Sequence, residues 1–451
     1  MDSQTPRSLS HSSHNSASET DDPSKQSHSE SNNQKDTVHS RSQLEDSKTD
    51  IRSDGTTQPI SKLETQRSDL YKACKNNKIN RVRKILQTAS ISTINRIEEN
   101  GATALHVATY HGHNEIVKLL LDSGASTSIR HKIRKLTAYE EAKTQETQDL
   151  FKRRNDRSRF IGNLTSDVIE WTLIFREPGK RRARFFQQLI KLLLDKSINR
   201  GHQTSLKIDQ ILLKLENNYL DALLIPDQLP ITHQKMIKWF FSSAVSEKDP
   251  TYILRAYTSA TNFYKTLNKQ LAINALDYFE PTVNYATDYK LVRALIDIVA
   301  IVTHCKQFEK YRFKGETYRG MLLTEQNLLE YTVGSEIMNK SFLSTSKTKV
   351  VAEIYSGEGQ QTDSHVSTIC TYVIKNDQTA LDIEDISEVP DEQEVLIVPF
   401  SVFKIINVER CNIIGAKNNG ALIAMKLEEC NAHVAYELSN FENDDDYATQ
   451  L

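Results

Sequence analysis

The chain has 451 residues and a formal net charge of −2 at pH 7, with a sequence pI near 6.7. That length allows about two or three domains, and the balanced charge gives the whole chain no pull toward nucleic acid or acidic membranes. Its five cysteines are odd in number, widely spaced and free of CxxC pairs, which argues against a disulfide framework and against a zinc site.

The two ends of the chain and its apolar runs bear on where the protein works. Met1 is followed by polar residues rather than an apolar segment, so no secretory signal is visible. The longest apolar run, Ala294–Val302, is interrupted by Asp297 and is too short to span a bilayer. We therefore predict an intracellular, cytoplasmic protein without a membrane partner.

Residues 1–66 are rich in Ser, Asp, Gln, His and Lys, and the first aromatic residue of the chain is Tyr71. Such a segment cannot bury enough apolar surface to offset the entropy of ordering, so we predict a disordered polar tail. It could carry phosphorylation sites, a partner motif or an inhibitory segment. At the other end, residues 431–451 are predicted to form an acidic C-terminal tail.

A repeat follows the tail. The segment Thr103–Ala108 is echoed by Thr137–Ala142, 34 residues later, and a period near 33 with a turn and two helices is typical of ankyrin repeats. Residues 100–125 resemble one such repeat, with Gly112 at the tight turn between its helices and Gly124 after the second helix. The flanking units are weaker, since Asn77 stands where the earlier unit would have a glycine.

We accordingly predict an all-α, ankyrin-like module over residues 67–150. The resemblance assigns Thr103 and His106 to a hydrogen-bonding pair between repeats, so packing and turn roles are favoured over metal binding for His106, His111 and His113. About three stacked units are usually needed for stability, so this module is expected to pack against something else for its stability. Repeat surfaces bind proteins, which implies a protein partner.

Residues 151–219 are predicted to be a helical, basic linker, with Lys and Arg concentrated between Lys152 and Arg184. Apolar residues recur at helical spacing over residues 183–194, and a second amphipathic helix is expected at Leu206–Leu215. A nuclear-import or nucleic-acid patch is the alternative interpretation. We favour a solvated face of packed helices and expect no nucleic-acid partner.

Residues 220–430 are predicted to form an α+β domain, because helical patterns come first and strand patterns second, without βαβ alternation. The predicted helices lie near His233–Val245, Thr251–Leu271 and Asp288–His304. After Lys314 the apolar period changes to two. The predicted strands are Val366–Ile374, Glu394–Phe400, Phe403–Val408 and Ala421–Leu427.

Three short patches occur in order within this domain: Tyr318-Arg319-Gly320, the segment Phe342–Ser346, and Glu392-Gln393-Glu394. Together they resemble the arginine–serine–glutamate class of mono-ADP-ribosyltransferases. The stretch Ala256–Ser259, followed by Phe263–Lys269, is similar to that family's early helix. Each patch alone is weak, whereas the ordered set over about Leu220 to Glu428 is specific. The resemblance implies a helical lead-in followed by the family's mixed sheet.

The chemistry of these residue types fits the resemblance. The guanidinium of Arg319 matches a phosphate geometrically, and Gly320 lets a backbone approach a ligand closely. The resemblance assigns Arg319, Gly320 and Ser344 to NAD binding, with Ser344 orienting the dinucleotide. It makes Glu394 the carboxylate that stabilises the ribosyl cation. Glu392 lies two residues earlier on an expected strand edge, so its side chain should point the same way and handle an incoming arginine.

We therefore predict a glycosyltransferase that moves ADP-ribose from NAD, or NADP, to arginine side chains of proteins and releases nicotinamide, without a metal. Arg319, Ser344, Glu392 and Glu394 are the predicted catalytic residues. The alternatives are a NAD glycohydrolase that uses water as acceptor, and a catalytically silent ankyrin-type binding scaffold. Many relatives carry an aromatic residue in the turn before the Glu-x-Glu, whereas this chain has Val389 there, which leaves the choice of target open.

Overall fold

The computed structural model divides into two compact units, Met1–Thr65 and Gln66–Leu451. In the first unit, strands β1 (Thr49–Ile51) and β2 (Thr57–Pro59) pair antiparallel. The rest of the predicted N-terminal tail, the predicted C-terminal tail and most of the basic cluster, including the expected helix over 183–194, lie outside the described residues. The structure describes residues 49–51, 57–59, 67–152, 161–162, 171–173, 208–224, 229–274, 289–355, 366–412 and 421–430.

Short helix pairs begin the second unit. Ser68 caps the first of them by accepting a hydrogen bond from the Tyr71 amide. Thr103 and His106 form a reciprocal cap at the start of the fourth helix. These helices are α1 (Asp69–Lys75), α2 (Ile79–Leu86), α3 (Ile91–Ile94), α4 (Ala104–Tyr110), α5 (Asn114–Asp122) and α6 (Gln145–Asp149).

The turns of this ankyrin-like module (residues 67–150) confirm the predicted backbone roles. Gly112 and Gly124 have φ angles of +69° and +93°, which glycine adopts without strain. Asn77, which stands in the first repeat where a glycine would be expected, adopts the same left-handed conformation with φ +50°. His106 Nε2 lies 3.2 Å from the carbonyl oxygen of Leu136, so this side chain links one repeat to the next.

The segment between the module and the main sheet contributes both strands and helices. Two short strands, β3 (Ile161–Gly162) and β4 (Trp171–Leu173), were not predicted from the sequence. The expected helix at Leu206–Leu215 is confirmed as α7 (Ile208–Lys214), which continues into a π-helical turn. Further helices are α8 (Leu220–Leu223), α9 (Ile231–Ser246), α10 (Thr251–Thr258), α11 (Phe263–Asn274) and α12 (Tyr289–His304).

One helix prediction was wrong, because Thr251–Leu271 is two helices rather than one. The break falls at hydroxyl side chains that bond to nearby backbone and so compete with helical hydrogen bonds. Ser259 Oγ donates to the carbonyl oxygen of Ala256 at 2.7 Å. Thr261 Oγ1 accepts from the Phe263 amide at 3.3 Å and thereby starts α11.

A 3₁₀ turn at Lys306–Tyr311 leads into the strands. The remaining elements are β5 (Gly315–Leu323), α13 (Glu325–Glu330), β6 (Glu336–Asn339), β7 (Leu343–Ser346), α14 (Lys349–Tyr355), β8 (Val366–Ile374), β9 (Ala380–Asp382), β10 (Glu394–Ile397), β11 (Val402–Asn412) and β12 (Ala421–Glu429).

The described strands β3 to β12 form one ten-stranded sheet in the order β4-β6-β11-β12-β8-β5-β7-β10-β9, with β3 beside β5. The pairs β12–β8 and β3–β5 are parallel and the other pairs antiparallel.

This succession of helices and then a mixed sheet confirms the predicted α+β class. The predicted strand Val366–Ile374 is confirmed with the same bounds. The strand expected at Glu394–Phe400 ends earlier, at Ile397, because Phe400 adopts φ +64° and its amide donates to the carbonyl oxygen of Asn339. Among the described residues, none of the helices reaches the length and apolarity that a bilayer crossing requires.

Three apolar cores organise the second unit, and each contains a buried cysteine. Cys74 lies in the core of the ankyrin-like module, Cys305 in the core formed by α7 to α12, and Cys370 in the core of the sheet. Alternation along the central strands divides their side chains between the last two cores. Leu396 of β10 faces the helices, whereas Val395 belongs to the sheet core.

Candidate active site

The centre of the site is the antiparallel pair β7–β10. Its register sets Glu394 opposite Ser346 and Leu396 opposite Ser344. Residues opposite each other, and residues two apart on one strand, share a face of the sheet. Ser344, Ser346 and Glu394 therefore lie on one face, the face that meets the helices, and all three are buried.

A tyrosine from the helical layer reaches the predicted serine. The hydroxyl of Tyr257, in α10, lies 3.4 Å from Ser344 Oγ. The side-chain amide of Asn268, in α11, donates to that tyrosine oxygen at 3.0 Å and to the carbonyl oxygen of Phe342 at 3.1 Å. Neither residue was predicted as part of the site, although Tyr257 and Asn268 lie in the two stretches, Ala256–Ser259 and Phe263–Lys269, that the resemblance singled out.

Arg319 approaches from a different direction. Its neighbour Tyr318 is paired with Ser346, so strand alternation places Arg319 on the opposite face of the sheet, together with Thr317. Its Nη1 donates to the carbonyl oxygen of Ser344 at 2.7 Å. The guanidinium of Arg319 therefore binds the main chain of Ser344 from the opposite side of the sheet and does not lie on the face that carries Glu394.

Gly320 lies within the sheet. It is opposite Ile369 of β8 on one side and Ile161 of β3 on the other. A glycine between two strands admits close backbone approach, and here β3 is the neighbour that approaches. The sequence could not predict this pairing, because β3 is only two residues long and stands alone in the linker.

The strand-edge prediction for Glu392 was wrong. Glu392 ends a 3₁₀ turn at Pro390–Glu392, and Gln393 has φ +45°, so β10 starts only at Glu394. The alternation argument therefore does not apply to its side chain. Ser346 Oγ instead fixes the main chain here, since it donates to the carbonyl oxygen of Glu392 at 2.9 Å and accepts from the Thr348 amide at 3.1 Å.

A lysine anchors the start of the turn that leads to Glu392. Lys347 Nζ lies 2.7 Å from Asp382 and 2.6 Å from Glu384. Burial lowers the pKa of Lys347, but hydrogen bonds and charge attraction from the two carboxylates outweigh it, so the pKa is raised overall. This cation therefore stays charged and holds the turn against β7. A cavity of about 360 Å³ opens beside Gln393.

No cluster of three His, Cys, Asp or Glu side chains suited to a metal ion occurs in the part of the chain that the structure describes. The three histidines weighed as ligands have structural surroundings. His106 bridges two repeats, and the His113 ring nitrogen Nε2 lies 3.2 Å from the carbonyl oxygen of Lys75. The rings of His111 and His113 stack at 5.6 Å between centroids.

Two protein-family profiles match the chain. Residues 232–431 match the family described as NAD:arginine ADP-ribosyltransferase, and residues 44–131 match ankyrin repeats in three copies. The fold, a helical layer followed by a mixed sheet, agrees with the first assignment. The chain therefore contains an ADP-ribosyltransferase domain that is preceded by ankyrin repeats. No curated protein sequence matches it.

Matches to solved structures each cover part of the chain. The Vis toxin, an ADP-ribosyltransferase from Vibrio splendidus, is 17% identical and aligns over 54% of this chain and 93% of its own, with a TM-score of 0.28. The type III effector XopAI from Xanthomonas axonopodis pv. citri is 15% identical over 57% of this chain and 95% of its own, with a TM-score of 0.28. The ankyrin repeat domain of Bcl-3 is 30% identical over 19% of this chain and 36% of its own, with a TM-score of 0.18.

Proposed function

We propose that this chain transfers ADP-ribose from NAD to arginine side chains of a protein acceptor and releases nicotinamide. The observation that carries the proposal is the β7–β10 register, which sets Ser344 and Glu394 on one buried face while Arg319 bonds to the Ser344 carbonyl oxygen. Membership of the domain in the NAD:arginine family supports the same substrates. The proposal assigns no role to a metal.

In the reaction, the bond between the ribose carbon C1′ and the nicotinamide nitrogen breaks, and nicotinamide leaves with the electron pair. Glu394 would accept a hydrogen bond from the ribose 2′-hydroxyl and stabilise the cation that develops at C1′. Its burial, with 0% of the residue exposed, strengthens that interaction because the local dielectric is low. Ser344 would orient the ribose, and Arg319 with Gly320 would hold the rest of the dinucleotide.

The second half of the reaction concerns the acceptor. A nitrogen of the incoming guanidinium forms a bond to C1′, and it must lose a proton to do so. Glu392 would bind this guanidinium with its carboxylate and take that proton, which it then passes to water. Glu392 ends the turn that Ser346 fixes, so the acceptor carboxylate stands on a separate backbone element from Glu394.

The full-length protein should be incubated with labelled NAD and agmatine, a small molecule with a guanidinium group. We expect nicotinamide release with transfer of the label to agmatine, and a loss of release by at least about 100-fold in Glu394→Gln. Glu392→Gln should abolish transfer and leave hydrolysis of NAD largely intact. Release without any transfer would identify a glycohydrolase, and no release at all would identify a binding scaffold. NADP in place of NAD tests the donor.

Two accompanying proposals concern the setting of the reaction. The ankyrin-like module would bind the protein partner, because repeat surfaces in general serve that purpose; crosslinking of the full-length protein to acceptors it modifies would test this. We also propose an intracellular, cytoplasmic location. Fractionation of cells that express the tagged chain would contradict that location if the protein were recovered outside the cell or with membranes.

A further inference from the structure

The turn formed by residues 384–391, between β9 and β10, is held from outside the catalytic domain. Its residue Glu388 is only 6% exposed. The side chains that bury it belong to the loop Ser126–Ser128 of the ankyrin-like module, about 260 positions earlier in the chain. A carboxylate buried in this way is stable only if its oxygens accept hydrogen bonds.

The loop supplies those hydrogen bonds from three consecutive residues. One carboxylate oxygen of Glu388 accepts from Ser126 Oγ at 2.6 Å and from Ser128 Oγ at 2.5 Å. The other accepts from the Thr127 amide at 2.6 Å, and the Thr127 hydroxyl lies 2.9 Å from it. The two serine hydroxyls and the Thr127 amide donate to a negatively charged acceptor, and charge-assisted hydrogen bonds are about twice as strong as neutral ones. The Thr127 hydroxyl has one proton, and its nearer acceptor is the carbonyl oxygen of Glu388 at 2.5 Å.

The backbone of Glu388 continues the connection into the catalytic site. Its amide donates to Thr258 Oγ1 at 2.9 Å. Thr258 directly follows Tyr257, whose hydroxyl lies 3.4 Å from Ser344 Oγ. The same residue of the turn therefore contacts the module on one side and the helix that reaches the predicted serine on the other.

Toward Glu392 the turn is short and tight. The Glu392 amide donates to the carbonyl oxygen of Val389 at 3.3 Å, and Val389 is buried. Only three residues, 389–391, separate Glu388 from Glu392, so a displacement of the first must be absorbed within one turn of backbone or passed on to the second. The exposed ion pair between Arg130 and Asp385, at 3.6 Å, adds little by comparison.

We propose that the ankyrin-like module helps to position the residues that bind the acceptor. Its loop Ser126–Ser128 holds Glu388, and Glu388 holds the turn that places Glu392. Glu388 is then a positioning residue, and transfer to an acceptor depends on this contact more than cleavage of NAD does. The inference rests on the proposed function for its kinetic part, but the restraint of the turn by the module is independent of any activity.

Glu388→Gln in the full-length protein tests the proposal. The NH₂ group of glutamine would face either the Thr127 amide, which cannot accept a hydrogen bond, or the serine hydroxyls. In the second case the serine hydroxyls would have to accept instead of donating, and their present hydrogen bonds to this side chain would be lost. We expect faster hydrogen exchange at residues 384–391 and a KM for agmatine raised about tenfold, a factor that corresponds to one lost hydrogen bond to a charged group. Nicotinamide release without acceptor should fall by less than about threefold.

Replacement of the partners on the module provides a second approach. The double variant Ser126→Ala, Ser128→Ala should reproduce the effect of Glu388→Gln, and the combined triple variant should be no worse than either alone, because all three residues act through one contact. Fully additive losses would contradict the proposal.

Met236→Ala is the matched control. Met236, in α9, lies against Gly124 of the module, two positions before the loop Ser126–Ser128, and a Cβ at Gly124 would stand 3.1 Å from its Cγ. The variant therefore loosens the packing of the module on the helices without removing a hydrogen-bond donor to Glu388. This variant should lower the melting temperature and leave the ratio of transfer to hydrolysis unchanged. The proposal is overturned if Met236→Ala shifts that ratio as much as Glu388→Gln does, or if Glu388→Gln lowers both reactions equally.

Catalytic activity and restraint of the turn by the module can be tested separately. If the wild-type protein releases no nicotinamide, the proposed function fails, and hydrogen exchange alone then decides the structural claim. Unchanged exchange at residues 384–391 in Glu388→Gln would show that the module does not restrain the turn. Faster exchange there, with Met236→Ala unaffected in this segment, would support it.

Discussion

Ser346→Ala should separate acceptor use from NAD cleavage. The hydroxyl is fully buried, donates to the carbonyl oxygen of Glu392 at 2.9 Å and accepts from the Thr348 amide at 3.1 Å. Each hydrogen bond contributes about 0.5–1.5 kcal/mol, and a buried group left without its partner costs about 1–3 kcal/mol. We expect a loss of about 2–3 kcal/mol in unfolding free energy, which lowers the melting temperature by about 5–10 °C.

The variant should slow transfer to the acceptor more than it slows nicotinamide release. Ser346 holds the main chain of Glu392, so its loss should reduce transfer to agmatine relative to nicotinamide release by about tenfold, equivalent to about 1.4 kcal/mol. The assay measures both products from one reaction with labelled NAD. Thermal unfolding of the same preparation separates this effect from general destabilisation.

Thr345→Val is the matched comparison. Thr345 is the neighbouring residue of β7, is equally buried, and its hydroxyl likewise makes two hydrogen bonds, to Val395 O at 2.6 Å and from Thr317 Oγ1 at 2.7 Å. It faces the other side of the sheet. A similar loss of stability with an unchanged ratio of transfer to hydrolysis is expected. An equal shift of the ratio in both variants would refute the reasoning.

Three further predictions address the module and the helical layer. Gly124→Ala should destabilise the protein by about 1–2 kcal/mol more than Gly112→Ala in urea unfolding, since both glycines have positive φ but only at Gly124 does an added methyl meet a side chain at 2.9 Å. Burial lowers the pKa of His106 to about 4, so the unfolded chain takes up a proton first as pH falls below 6.5. Between pH 7 and pH 5 this residue alone should lower the unfolding free energy by about 2 kcal/mol. Burial lowers the pKa of His131 to about 4 as well, so the wild-type loss should be larger, and His106→Gln should reduce the slope without abolishing it. Tyr257→Phe removes the hydroxyl beside the predicted serine and should slow nicotinamide release by about 3–10-fold. It should also lower the unfolding free energy by about 1 kcal/mol, because the Asn268 amide loses an acceptor; an unchanged rate would exclude this tyrosine from the site.

Local signals in the sequence were sufficient for much of the fold. The turns at Gly112 and Gly124 follow from residue type and repeat period, and they are confirmed, whereas Asn77 was a departure from the pattern that nevertheless takes the same left-handed conformation. The strand Val366–Ile374 was predictable because its apolar run is bounded on both sides by polar residues. Such features depend on neighbours in the chain, which a sequence displays directly.

Features that depend on distant partners were not predictable in the same way. Glu392 was assigned to a strand because a spacing of two residues suggests alternation, yet the turn that Ser346 fixes takes it out of the strand. Glu388 was not singled out from the sequence, because its donors lie in another domain. Arg319 was assigned to NAD binding, but only the register of β5 against its neighbours shows that it lies on the other side of the sheet from Glu394.

The distribution of cysteines gives each core its own chemical reporter. Cys74, Cys305 and Cys370 are buried in three separate cores. Burial raises the pKa of the Cys74 thiol to about 12 and also raises that of Cys305, so neither forms much thiolate at neutral pH while its core is closed. A pulse of an alkylating reagent, followed by mass spectrometry of the peptides, would therefore reveal the order in which the ankyrin-like module, the helices and the sheet open under denaturant.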